Sequence, residues 1–407
     1  MTFDRKPRLA ILHYAAPPTI GGVEATMAAH ARLFANHGYA VKIIAGRGEP
    51  FDARVPVQTI PTVDSKHSFV VQVHQRLAHG VVPEDFYPLT AAIRHALGNA
   101  LADVDVCIAH NVVTLHKNLA LTRALYEIVQ TRALRLIAWS HDLAWDDPVY
   151  ADELYPGQPW DLMRQAWRGV RYVVVSAARR KELAARLGMA EKDIAVVPPG
   201  VDASEFLQLS DRTARWMRDG HLLDAAPLLL LPARVTRRKN IELAIEITAA
   251  LRDQGHAPKL VVLGPLGPHN PANIVYLDEL RELRRGRGVE DAVIFLQDYG
   301  SVNDGERRDW YALADALLFP SAREGFGIPI LEAGLARLPI FCADIAPFRE
   351  SAGEWANYFA LDEAPAAIAG RIADVLANDA RYQLKQRVVR EYAWERIFTE
   401  RIEPLLE

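Results

Sequence analysis

The chain has 407 residues, of which 50% are hydrophobic and 24% charged, the balance of an ordinary globular protein long enough for two or three domains. Its 47 Lys and Arg stand against 51 Asp and Glu, a formal net charge of -4, so no basic surface built for nucleic acid is expected. No apolar run reaches the ~18 residues of a membrane span, and the N-terminal run Leu9 to Leu12 is too short for a signal sequence. A cytoplasmic protein is the expectation, with membrane contact peripheral at most, and Cys107 and Cys342 read as buried, reduced thiols.

Short apolar strands alternate with amphipathic helical stretches, the pattern of parallel α/β architecture. The first strand spans Arg8 to Tyr14, followed by the loop Ala15 to Gly22 and a helix over Val23 to His37. Strands follow near Ala40–Ala45, Val55–Ile60, Val104–Ala109, Leu134–Trp139, Tyr172–Val175 and Ile194–Val197. Pro198-Pro199-Gly200 then breaks the series, and a mixed polar stretch leads to Pro227. A second series runs through Leu228–Leu231, Lys259–Leu263, Ala292–Leu296, Ala316–Phe319 and Leu338–Cys342. The expected division is an N-terminal Rossmann-like domain over 1–202, a linker over 203–226, and a second Rossmann-like domain over 227–390. A C-terminal helix over 391–407 belongs to the second domain or crosses back to the first. Open α/β sheets bind ligands beyond the carboxyl ends of their strands, so motifs just after strands are the first candidates.

After the strand ending at Phe319 comes Pro320-Ser321-Ala322-Arg323-Glu324-Gly325-Phe326-Gly327-Ile328-Pro329-Ile330-Leu331-Glu332. Gly325 and Gly327 allow close backbone approach and positive φ. Pro329 suits a helix start, whose free N–H groups are suited to a diphosphate. Glu324 and Glu332 beside it need donors, which sugar hydroxyls and a ribose diol supply. A plain tight turn with solvated carboxylates is the competing account.

Arg234, Arg237, Arg238 and Lys239 follow the strand Leu228–Leu231, where cations can neutralise a departing diphosphate; taken alone they would read as a solvated turn. Gly21-Gly22 precede the first helix and permit phosphate approach, but neither G-x-G-x-x-G spacing nor a P-loop is present. His110 and His141 each follow a strand and can serve catalysis or structure. Asp103 and Asp105 lead into a strand, and Asp146 and Asp147 sit in the loop His141 to Trp160; neither group has metal-ligand spacing, so no metal is expected.

These residues resemble glycosyltransferase family 4, whose members have the GT-B fold of two Rossmann-like domains facing across a cleft. The resemblance runs from Gly21-Gly22-Val23-Glu24 through Val196, Pro198-Pro199-Gly200-Val201-Asp202, Arg234 and Lys239, and the E-x7-E signature at Glu324 and Glu332, to Trp394-Glu395. It implies a retaining enzyme that needs no metal or other cofactor and takes a UDP- or GDP-hexose as co-substrate. The resemblance places Glu332 on the donor ribose and Glu324 on the transferred sugar. It places the amides from Phe326, Gly327 and Ile328 to Ile330 on sugar and phosphate, Arg234 and Lys239 on the diphosphate, and Gly22 on the β-phosphate. His141 matches the family's catalytic-site histidine better than His110.

Two departures stand out. The segment Gly264 to Arg287, containing Gly267-Pro268-His269-Asn270-Pro271, is longer than the family's usual link, and Gln297-Asp298-Tyr299-Gly300-Ser301 stands where many relatives have a glycine, in a loop that borders the expected base pocket. Acceptor candidates are His110, Trp145 and Asp146, in surroundings that suit a small molecule or saccharide and can equally pack on themselves. The segment His67 to Tyr87 is not basic enough to argue for anionic lipid. A nucleotide-sugar epimerase and a non-catalytic nucleotide-sugar-binding protein are the alternatives; a dehydrogenase lacks its fingerprint.

Overall fold

The structure is a computed structural model and describes residues 5–19, 21–266 and 272–407. The unusual segment 267–271 therefore lies outside the described residues. The chain divides into two compact units, one of residues to Gly200 together with Tyr392–Glu407, the other Val201–Glu391.

The first unit opens with β1 (Leu9–His13), α1 (Gly22–Asn36), β2 (Val41–Ala45) and β3 (Val57–Thr59). It continues with α2 (Ser68–Leu77), α3 (Phe86–Ala100), β4 (Val106–His110), α4 (Leu119–Thr131) and β5 (Arg135–Ser140). β6 (Val170–Val174), α5 (Ala177–Leu187) and β7 (Ile194–Val196) complete it. Among the described residues these strands form one sheet in the order β3-β2-β1-β4-β5-β6-β7, each neighbouring pair parallel. Residues alternate between its faces, as the pleat requires: Leu9, Ile11, Val106 and Ile108 pack into one core, Ala10, Leu12, Cys107 and Ala109 into the other. Strands buried on both faces explain the unbroken apolar runs in the sequence.

The second unit begins with α6 (Ala203–Phe206) and α7 (Asp211–Asp219). The expected linker 203–226 is thus corrected: α7 buries Thr213, Ala214 and Met217, and Met217, Leu222 and Ala225 belong to this unit's core. An amphipathic helix with apolar residues three to four apart reads as merely polar when its net hydrophobicity is low. There follow β8 (Leu228–Leu231), α8 (Ile241–Asp253), β9 (Lys259–Val262), α9 (Ala272–Gly286) and β10 (Val293–Phe295). Next come α10 (Asp304–Leu313), β11 (Ala316–Phe319), α11 (Ile328–Leu335), β12 (Ile340–Ala343) and α12 (Ala346–Ala352). β13 (Asn357–Phe359), α13 (Pro365–Ala377) and α14 (Ala380–Tyr392) end the unit. The sheet order is β10-β9-β8-β11-β12-β13, again parallel throughout.

The C-terminal residues pack on the first unit. α15 (Trp394–Ile397) gives way to a wider turn over Phe398–Ile402 and a tighter one over Glu403–Leu406, in place of one regular helix. Pro404 has no N–H to continue the ladder. Ile397, Phe398, Ile402, Leu405 and Leu406 fill the core on the α1 face, and Trp394 lies against Gly200, where any Cβ would meet its indole.

Candidate active site

In the second unit, the strand order places the loops after β8, β10 and β11 on one edge of the sheet, the edge where open α/β folds bind ligands. The loop after β11 carries Glu324, whose side chain is 10% exposed. Lys239, itself buried, ends the turn Arg237–Lys239 and donates to Glu324 Oε1, with its ammonium 5.2 Å from the Phe319 ring. Arg238 donates to Glu324 Oε2 at 3.1 Å and to the Arg323 carbonyl at 3.2 Å, and the Ala322 amide returns a bond to the Arg238 carbonyl at 2.9 Å. Burial lowers the Lys239 pKa, while Glu324 opposes that fall and the neighbouring Arg238 and Arg234 charges add to it. Arg237 turns away to Glu279 at 2.6 Å. Arg234 is exposed and, among the described residues, has no carboxylate partner.

Gly327 is the N-cap of α11 at φ +102°, and a Cβ there would meet the Phe348 ring at 2.9 Å. A glycine is required by the backbone itself. No side chain caps α11, whereas α10 carries a full capping box of Asn303 and Glu306. The positive end of α11 is left to its amides, beside a loop pair in which Arg234, Arg238, Lys239 and Arg323 outnumber Glu324. At Gly325 a Cβ would meet nothing, and its backbone is not left-handed. Phe326 and Ile328 are exposed. Ser321 Oγ and Thr236 Oγ1 are buried on the same two loops without a protein partner; no charge or glycine pattern marked them in the sequence.

Glu332 lies in the second turn of α11. Tyr311 of α10 donates to its Oε2 at 2.6 Å, and Arg307 of α10 pairs with its Oε1. Burial and this carboxylate raise the Tyr311 pKa, so the phenol stays a donor. The loop of Gln297, Asp298 and Tyr299 is a tight turn after β10. Asp298 pairs with Arg281 at 2.7 Å, Arg212 of α7 donates to the Tyr299 carbonyl at 2.7 Å, and Gln297 Oε1 is buried without a partner. Arg307, Tyr311, Arg212 and Arg281 were not singled out in the sequence, because each acts through a residue far along the chain.

The first unit gathers its own polar cluster. His110, the last residue of β4, is fully buried, and its Nδ1 stands 2.9 Å from His141 Nε2. His13 Nδ1 donates to the His110 carbonyl at 2.8 Å. Asn111 accepts from the His141 amide at 2.7 Å through Oδ1 and fixes the turn after β5. Burial pushes the His141 pKa down to about 4 and that of His30 to about 3. Gly21 is the N-cap of α1 in extended backbone, and a Cβ at Gly22 would meet nothing.

Trp145 and Asp146 pack within the unit. Asp146 pairs with Arg186 at 2.7 Å, and Arg164 lies 4.9 Å from the Trp145 ring. Asp103 pairs with Lys42 at 2.7 Å, Asp105 accepts from the Arg8 amide at 2.7 Å, and Asp147 caps its own turn at the Val149 amide. These acidic residues serve cations and backbone, not one another. Both cysteines are free and buried, their thiols raised to about 12 by burial.

The family model for glycosyl transferases group 1 matches residues 214–395, and that for Glycosyltransferase Family 4 matches residues 20–205. Mannosylglucosylglycerate synthase of Petrotoga mobilis is 26% identical over 281 residues, 61% of this chain and 63% of that protein. D-inositol 3-phosphate glycosyltransferase of Kineococcus radiotolerans is 29% identical over 221 residues, 52% of this chain and 50% of that protein. The chain thus spans between half and 63% of the length of these two relatives. A solved glycosyltransferase from Rickettsia africae is 13% identical with a TM-score of 0.37, the match covering 98% of this chain and 97% of that one. Two parallel Rossmann-like sheets, with the glutamate segment after β11 and the cation loop after β8, define the GT-B class of α/β protein. The chain belongs to glycosyltransferase family 4. Among the described residues, no helix is long and apolar enough to cross a membrane.

Proposed function

We propose that this chain is a retaining hexosyltransferase that moves a sugar from a UDP- or GDP-hexose to a hydroxyl of a small molecule or saccharide. The observation that carries the reading is the convergence of Lys239 and Arg238 on Glu324 beside the glycine-started, uncapped α11. Cations and helix amides there suit a diphosphate, and Glu324, oriented by two cations, suits sugar hydroxyls. A lysine has three donors, so Lys239 can hold Glu324 and still reach a phosphate oxygen. A carboxylate has about four lone-pair sites. Glu332 therefore keeps acceptor capacity for a ribose diol while bound to Tyr311 and Arg307.

In the reaction, the bond from the anomeric carbon to the diphosphate oxygen breaks as the acceptor oxygen bonds to that carbon from the same face. The departing phosphate oxygen takes the acceptor proton, so the scheme needs no strong protein base and no metal. Arg234, Lys239 and the start of α11 stabilise the charge that develops on the diphosphate. A covalent double displacement would make Glu324 the nucleophile. Two bound cations make it a poor one. His141, neutral at pH 7, serves as a hydrogen-bonding group in this reading, not as a cation. A cytoplasmic setting, in which Cys107 and Cys342 stay reduced, belongs to the same reading.

Turnover tests it directly. Incubation with UDP- and GDP-hexoses and a panel of polyol, sugar and inositol acceptors should give product with the anomeric configuration of the donor, read by NMR. An inverted product, or donor turnover to an epimer with no acceptor present, would remove the proposal.

A further inference from the structure

The first unit holds a second group of convergent side chains, distant in sequence from the donor residues. His74 lies in the last turn of α2, His116 opens the turn His116–Asn118 ahead of α4, and Glu153 closes the turn Pro148–Glu153. His116 Nε2 is 2.6 Å from Glu153 Oε2, His74 Nε2 is 3.6 Å from the same oxygen, and one ligand atom from each residue lies within 4.8 Å of the others. We propose that His74, His116 and Glu153 form a zinc-class metal site that staples the turn 148–153 to α2 and to the turn 116–118.

The donor set is two imidazoles and one carboxylate, a set that binds zinc with a fourth position left for water. Tetrahedral zinc with bonds of ~2.0–2.1 Å places ligand atoms roughly 3.3 Å apart. The His74 to Glu153 separation is near that value. The His116 to Glu153 pair must open by roughly 0.7 Å on the same geometry. The Glu153 side chain, 38% exposed, has room to turn, while His116 is 1% exposed and fixed. The His74 and His116 rings lie 5.5 Å apart, centre to centre, so the two imidazoles stand side by side ahead of Glu153.

The surroundings impose one cost. Lys117 adds positive charge close by, but its ammonium lies 4.3 Å from the Tyr150 ring, and Tyr150 in turn packs edge-on against His116 at 4.8 Å. The staple would thereby fix the part of the loop 141–160 that carries Tyr150 and Glu153. None of the three ligands is assigned to donor chemistry, so the site and the transfer reaction stand or fall separately.

The test is calorimetric titration of the full chain with zinc chloride after chelator stripping, with cobalt(II) absorption as a report of tetrahedral ligation. One equivalent should bind with a Kd on the order of micromolar or tighter. His74→Gln and Glu153→Gln, both at partly exposed side chains, should each weaken it at least about 10-fold with unchanged far-UV circular dichroism. Absence of stoichiometric binding overturns the proposal. So does binding that survives both substitutions, or that falls only with His221→Ala, a surface histidine 3.7 Å from Asp224.

Discussion

His110 Nδ1 and His141 Nε2 stand 2.9 Å apart, a distance at which one nitrogen donates and the other accepts. The accepting ring cannot then be protonated on both nitrogens without breaking that bond, so the two rings cannot both be cationic while it holds. Burial keeps both neutral, and His30, His13 and Trp139 enclose them on the α1 side.

The first prediction is acid sensitivity. The pKa values of His13, His30, His110 and His141 are all lowered in the folded chain. Between the ordinary histidine value and the lowered one, the unfolded chain binds more protons, so stability is highest above pH 6.5 and falls as pH drops toward 4. Each such histidine contributes a loss of up to ~1.4 kcal/mol per pH unit in that window. Urea midpoints at pH 7.5, 6.5 and 5.5 should fall progressively below 6.5; a flat series contradicts the assignment.

His30 sharpens it. Both ring nitrogens are buried without a protein hydrogen bond, and the ring packs against Trp139 and Trp394. His30→Leu should be neutral or stabilising at pH 7 and should flatten the acid slope, because an unpaired buried polar group costs about 1–3 kcal/mol. A clear loss of melting temperature at pH 7 would show that the ring has a role beyond filling space.

Three glycines should part company. Gly327→Ala forces a methyl group into the Phe348 ring at positive φ, so a loss of about 1–3 kcal/mol is expected on unfolding. Gly22→Ala and Gly325→Ala meet no protein atom within 4 Å. They should leave the melting temperature unchanged and weaken donor binding or turnover. Equal stability loss in all three would remove the distinction between a fold glycine and a ligand glycine.

Asp315 anchors the second sheet. Its side chain is 1% exposed, and it accepts from the Leu228 amide at 2.7 Å and from Lys385 of α14 at 2.5 Å. Asp315→Ala removes both acceptors and should cost about 3–5 kcal/mol. Lys385→Met, at a partly exposed side chain, should cost less. The two costs, read by denaturant unfolding, contradict the account if reversed.

Much of the fold was legible because the strands are buried on both faces and appear as apolar runs, as Leu228–Leu231 and Ala316–Phe319 do. β13 was not, since Asn357–Phe359 is three residues long and only Phe359 is fully buried. α7 hid within a polar stretch that has few apolar positions. In the site, Glu324, Gly327 and the cation loop could be read because glycine, proline and charge each have a local meaning. Pairings could not be read: Tyr311 with Glu332, Arg186 with Asp146 and Arg212 with the Tyr299 carbonyl are made by topology. The Asp146 pairing also shows the self-packed alternative for part of the loop after β5.

Arg234 offers the most direct test of the donor site, since it is exposed, holds no protein partner among the described residues, and can be changed without disturbing the fold. The measurement is calorimetric titration of wild type and Arg234→Ala with UDP- and GDP-hexoses, with melting temperatures taken in parallel. The account predicts unchanged stability, tight binding of one nucleotide class by the wild type, and an affinity at least ~10-fold weaker in the variant. Equal donor affinity in both proteins would contradict the placement of the diphosphate beside Arg234, Lys239 and the start of α11.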